Sequence, residues 1–226
     1  MSKRFGIIAL ALGLVGFAMK CAAIFTYDGW LAAEFPDLLH KWNYFGFFTY
    51  TTNIMVDTWL VLLGVSLLFA FDGLKRRLTK ASLQGFLTAM IFVVGALYCF
   101  TMFWFDEPYS WGLWWGNVVT FWHHVATPVI MIIVFFRSKD RKKLGKKDLA
   151  LWMIYPFMYL LVTMLRGSIA SWYPYPFLDP AWDMFTQMNL RPWTGVTLAC
   201  AFIFFFMLAT AVLTVRIHNW LATKRK

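Results

Sequence analysis

Four polar residues that hydrocarbon tolerates poorly, Thr49, Asn53, His124 and Arg166, stand inside apolar stretches of a chain that is 61% hydrophobic. A hydroxyl, a carboxamide, an imidazole and a guanidinium together suit acyl transfer. The histidine acts as general base while a threonine attacks an ester carbonyl, then returns the proton to the leaving alcohol. Asn53, Arg166 or a backbone amide would stabilise the oxyanion. An ionisable residue at the centre of a spanning helix costs at least ~2.5 kcal/mol on insertion scales, so it calls for a partner or a function.

The elements that must position these residues follow from composition. With 226 residues, a mean hydropathy of +0.61, 20% aromatic and 14% charged residues, the chain reads as one integral membrane domain spanning 1–226, not a soluble fold. Six apolar segments, about 5–27, 44–71, 82–105, 114–136, 149–171 and 194–215, reach the roughly 20 residues a bilayer core requires. The expectation is an all-α bundle of six transmembrane helices. The net charge of +10 does not point to nucleic acid, because the basic residues fall in short segments, and 17 of the 21 Lys and Arg lie on one side of a six-pass chain. The other side carries Lys41 and Arg191 against seven acids: Asp28, Glu34, Asp37, Asp106, Glu107, Asp179 and Asp183. By the positive-inside rule both termini are cytoplasmic, as in a bacterial inner (plasma) membrane protein.

Periodicity places the polar residues on helix faces. Thr49, Asn53 and Asp57 follow at i, i+4 and i+8 on the second span. Asn117, Thr120, His124 and Thr127 follow at steps of 3, 4 and 3 on the fourth, and Tyr155, Tyr159, Thr163 and Arg166 at steps of 4, 4 and 3 on the fifth. Counted from the outer helix ends, Thr49 lies ~8 Å deep, Asn53 ~14 Å, His124 ~15 Å, Arg166 ~9 Å and Lys20 of the first span ~12 Å. This shared depth suits one cavity and a substrate dissolved in the bilayer. Pro128 frees the carbonyl of His124, so the helix should kink beside the imidazole. His123 is turned from His124 by about 100° and remains an alternative base. Blander roles stay open as well: threonines bond their own backbone or a neighbouring helix, and Arg166 can snorkel to the headgroups.

The remaining features narrow the chemistry. Lys3 and Arg4 precede an apolar run like a signal peptide, but its length and the Lys20 interruption suit a retained helix. Cys21, Cys99 and Cys200 lack paired or metal-ligand spacing and read as packing. Four histidines without a dense acid or cysteine cluster argue against zinc, and no cofactor is expected. No internal repeat supports a transporter of inverted halves. The outer loop 172–193 contains Trp172-Tyr173-Pro174-Tyr175-Pro176-Phe177-Leu178-Asp179-Pro180, which cannot continue a helix. It is either an interfacial aromatic belt or a cap over an outward cavity.

Phe48-Thr49-Tyr50-Thr51-Thr52-Asn53, His124-Val125-Ala126-Thr127-Pro128, Tyr155-Pro156 with Tyr159, Arg166-Gly167 and Trp172 to Asp179 resemble the androgen-induced membrane hydrolase family and its bacterial relatives. The resemblance implies a multipass hydrolase with a threonine nucleophile and a histidine, acting in the animal members on fatty acid esters of hydroxy fatty acids. Thr49 takes the nucleophile's place and His124 the histidine's. The animal members place one more residue between histidine and proline, and their threonine is not followed by Thr52-Asn53.

Three functions follow as expectations. The first is hydrolysis of a lipophilic ester by Thr49 and His124, with Asn53, Arg166, Lys20, Tyr159 and Asn117 binding substrate. The second is non-enzymatic lipid binding or transport, and the third an assembly subunit docking through its outer loop. The topology is tested first: green fluorescent protein fused after Lys226 should fluoresce and alkaline phosphatase fused there should stay inactive, whereas the reverse pattern rejects cytoplasmic termini.

Overall fold

The computed structural model describes residues 2–26, 43–105, 114–138, 140 and 142–224. The first outer loop with Lys41 and its acids, and Asp106 and Glu107 of the second, lie outside the described residues. Among the described residues all regular structure is helical: α1 (Lys3–Thr26), α2 (Phe48–Leu68), α3 (Asp72–Leu78), α4 (Ala81–Phe105), α5 (Trp114–Phe121), a π-turn (Trp122–Ala126), α6 (Thr127–Arg137), α7 (Lys146–Ala170), α8 (Asp183–Gln187) and α9 (Pro192–Lys224). Six spans are long and apolar enough to cross a membrane, with α5, the π-turn and α6 together forming the fourth. The chain is an all-α membrane bundle. Its large apolar side chains also face outward, as on α7 and α9, because the surrounding solvent is acyl chain and not water.

Several boundaries differ from the sequence expectation, and the second span is a helix only over Phe48–Leu68 within the expected 44–71. The last helix continues to Lys224, beyond the apolar stretch, because its final turns have protein partners. His218 is buried with Nε2 3.0 Å from the Lys142 carbonyl, and Asn219 grips the Leu144 backbone by accepting from its N–H and donating to its C=O, both at 2.9 Å. Hydropathy measures bilayer thickness and is blind to such contacts. Residues 72–78 form a short helix in what reads as a solvated loop. Asp72 in its first turn and Lys75, Arg76 and Arg77 in its last complement the helix dipole, and Trp59 Nε1 donates to the Leu78 carbonyl at 2.9 Å. The hydrogen bond from Lys75 holds the Asp72 carboxyl below the ordinary carboxylate range.

α1 and α2 meet along a seam of small residues. A Cβ at Gly64 would lie 2.7 Å from the Leu10 backbone nitrogen and 2.8 Å from the Gly6 carbonyl, and one at Gly13 would lie 2.8 Å from the Asp57 carbonyl. Without a hydrophobic force between helices in lipid, such close approach is what dispersion and polar contacts require. At the seam's end Lys20 forms a buried ion pair with Asp57, beside Gly16. α4 runs through the middle of the bundle, with Met90, Ile91 and Val94 packed among Leu60 and Leu63 of α2 and Met131 of α6.

Gly64→Leu must part α1 from α2. Overpacking of this kind costs about 1–3 kcal/mol, so a clear fall in Tm in detergent is expected. Gly73→Leu, at a site with open space around it, should leave Tm unchanged. Equal melting of both variants would reject the tight seam.

Candidate functional site

Pro128 removes the amide that would bond the His124 carbonyl, and the chain answers with the π-turn. Thr127 closes that turn, its hydroxyl donating to the Trp122 carbonyl at 3.0 Å. Gly95 lets α4 pass close by, since a Cβ there would stand 2.8 Å from the His124 oxygen and 3.0 Å from Pro128 Cγ. The two adjacent histidines face different surroundings.

His124 lines a cavity of about 260 Å³ enclosed by α2, α4, the π-turn, α7, α9 and the loop after α7. Its Nδ1 lies 2.9 Å from the Thr120 carbonyl, and its ring stacks on Tyr98 with centroids 4.1 Å apart. A carbonyl only accepts, so Nδ1 carries the proton and Nε2 keeps the lone pair of a base. His123 is buried against Tyr50, ring centroids 5.2 Å apart, bonds the Val119 backbone, and lines neither this cavity nor the second described below.

Thr49, in the first turn of α2, lines the same cavity as His124. Its backbone N–H donates to the Tyr175 hydroxyl at 3.4 Å, and the phenol also lies within hydrogen-bond reach of the Thr49 side chain and of Tyr159. Burial pushes the Tyr175 phenol above its ordinary range, so it remains a proton donor at neutral pH. Tyr175 belongs to the proline-rich loop, whose residues Tyr175, Phe177 and Leu178 close the cavity. Phe47 anchors that loop edge-to-face, 5.9 Å from Trp172 and 5.4 Å from Tyr175.

No known protein family, curated protein or solved structure compared with this chain matches it. The arrangement of the site is therefore read from its own geometry. The remaining candidates divide. Tyr159 joins Thr49 and His124 at the cavity, with its hydroxyl donating to the Gly46 carbonyl at 2.7 Å. Asn53 lies outside the cavity: fully buried, it donates to the Thr49 carbonyl at 2.9 Å and the His123 carbonyl at 3.1 Å, so it positions the site without lining it. Lys20 is turned to Asp57 and to the Gly16 carbonyl, away from both cavities. Arg166 lines a second cavity of about 470 Å³ that shares Tyr159 with the first. The Asn117 side chain lies outside the described residues.

Sequence reasoning gave no role at the site to Tyr175, Tyr98 or Tyr155, the last with its hydroxyl 2.8 Å from Thr51 Oγ1 and 2.9 Å from Thr52 Oγ1. Tyr155 was visible as part of a stripe. Tyr98 carried no signal beyond an aromatic in an apolar helix, and the side-chain direction of Tyr175 is set by its loop. Among the described residues no group of three His, Cys, Asp or Glu side chains converges as a metal site would require.

Proposed function

We propose that this protein is a membrane-embedded hydrolase of lipophilic esters in a bacterial inner membrane, with its termini in the cytoplasm. What supports the reading is that Thr49 and His124, from different spans, line one largely apolar cavity under the Tyr175 hydroxyl. The resemblance to the androgen-induced membrane hydrolases, carried by the Thr49, His124 and Trp172 to Asp179 motifs, points the same way. An apolar lining suits a substrate that partitions from the bilayer.

The reaction balances on these groups. Thr49 Oγ1 attacks the ester carbonyl carbon and gives its proton to His124 Nε2, forming a tetrahedral oxyanion. The Tyr175 hydroxyl, held over the first turn of α2 by the Thr49 backbone N–H, donates to that oxyanion. Collapse breaks the bond to the alkoxide, which takes the proton back from His124 and leaves as an alcohol. Water then attacks the acyl-threonine, His124 removes its proton, and the free acid departs as Thr49 is regenerated. His124 holds the required tautomer through the Thr120 carbonyl. No metal or cofactor takes part.

A second reading, lipid binding or carriage without chemistry, is favoured by the same apolar lining, which holds an acyl chain as readily as it holds an ester. The two separate on turnover. Purified protein should hydrolyse a branched fatty acid ester or a simple acyl ester, Thr49→Ala and His124→Ala should abolish the activity, and His123→Ala should retain it. Tyr175→Phe should lower kcat by about 10²-fold with a smaller effect on KM, the usual cost of one oxyanion donor. Turnover in none of the proteins, or turnover indifferent to Thr49, gives the second reading the stronger claim.

A further inference from the structure

The second cavity lies between the start of α2, α7 and the loop after it, and its walls sort by chemistry. Met158 and Val162 of α7 are apolar and 45% and 58% exposed, which on a spanning segment means exposed to acyl chains, and Phe45, just before α2, is 42% exposed beside them. Of the polar groups in the wall, the hydroxyls are already committed: Thr51 and Tyr155 bond each other, Tyr159 donates to the Gly46 carbonyl, and Thr163 is within reach of Tyr159. Arg166 stands apart from them.

Arg166 is held in place by neutral groups. Its guanidinium donates to Asn43 Oδ1 and stacks over the Trp172 ring at 4.5 Å from the centroid. Gly46 allows the backbone of the neighbouring turn to approach, since a Cβ there would lie 2.8 Å from Nη1. Among the described residues no carboxylate pairs with Arg166. A guanidinium offers five donors in a fixed fork, and an amide oxygen and an aromatic face leave its charge without a counter-charge among the described residues. A snorkelling arginine extends away from the apolar body toward water. Here the side chain is folded against the protein at the wall of a cavity open to lipid.

We infer that the second cavity binds an anionic acyl lipid, with its carboxylate or phosphate on the Arg166 guanidinium and its chain along Phe45, Met158 and Val162. The plane fixed by Trp172 presents the fork for bidentate contact with an oxyanion. The site does not depend on the hydrolase reading, because Thr49, His124 and Tyr175 line the other cavity. Tyr159 is the wall common to both.

The test uses the full-length protein in non-ionic detergent, titrated with oleate, dioleoylphosphatidylglycerol, dioleoylphosphatidylcholine and inorganic phosphate, with binding read by native mass spectrometry and by Tm. At least one anionic lipid should bind about tenfold tighter than phosphatidylcholine, the scale of one charge-assisted contact. Tight binding of oleate alone identifies a carboxylate ligand, and of phosphatidylglycerol alone a phosphate ligand; both support the site. Arg166→Gln should erase the preference, and Val162→Trp, which blocks the chain's path while keeping the charge, should weaken the anionic lipid. Thr49→Ala should bind like the wild type, so loss of hydrolysis and loss of lipid binding are told apart. Equal binding of all three lipids, free phosphate binding as well as a lipid, or a preference that survives Arg166→Gln overturns the inference. Should Arg166→Gln fail to fold, unchanged anionic-lipid binding in Val162→Trp overturns it alone.

Discussion

A backbone carbonyl freed from its helix inside a bilayer has no water to turn to, and Pro128 frees one in the middle of the fourth span. The next three contacts are answers to that constraint. The Trp122 oxygen takes the Thr127 hydroxyl, the His123 oxygen takes the Asn53 amide, and the His124 oxygen lies in the gap left by Gly95. Because Asn53 also holds the Thr49 carbonyl, the repair of the fourth span fastens it to the first turn of the second. Thr49 and His124 come to one cavity through this repair.

Two adjacent histidines differ because successive helical residues point about 100° apart. His124 faces the cavity and keeps its tautomer through Thr120, while His123 is sealed beside Tyr50. The proline was legible in the sequence and led to the expectation of a kink. The π-turn was not legible, because its backbone draws on Asn53 from another span.

The number and order of the six spans were legible because bilayer thickness writes itself into hydropathy. The continuation of α9 past the membrane was hidden, since His218 and Asn219 earn their order from a loop far away in sequence. At the site, Thr49, His124 and Tyr159 could be found by helical spacing. Asn53 shares that spacing and Lys20 the depth, yet both serve structure, and periodicity cannot tell a residue that faces a cavity from one that faces a neighbouring helix. Tyr175 lay in the most distinctive stretch of the chain, but only the docking of that stretch on Phe47 turns its hydroxyl toward Thr49.

The ion pair in the glycine seam bears on biogenesis. Lys20 lies within α1, and a lone lysine near the centre of a spanning segment makes its partition into lipid less favourable by about 2.5–3.5 kcal/mol. Its counter-ion Asp57 arrives one segment later and carries a similar burden of its own. Each helix alone carries an unpaired charge, whereas the pair, zipped along Gly6, Gly13 and Gly64, presents hydrocarbon outward and its charges to each other. α1 and α2 are thus suited to enter the bilayer together as a hairpin, and a chain cut before Asp57 would leave the Lys20 charge in α1 without its counter-ion.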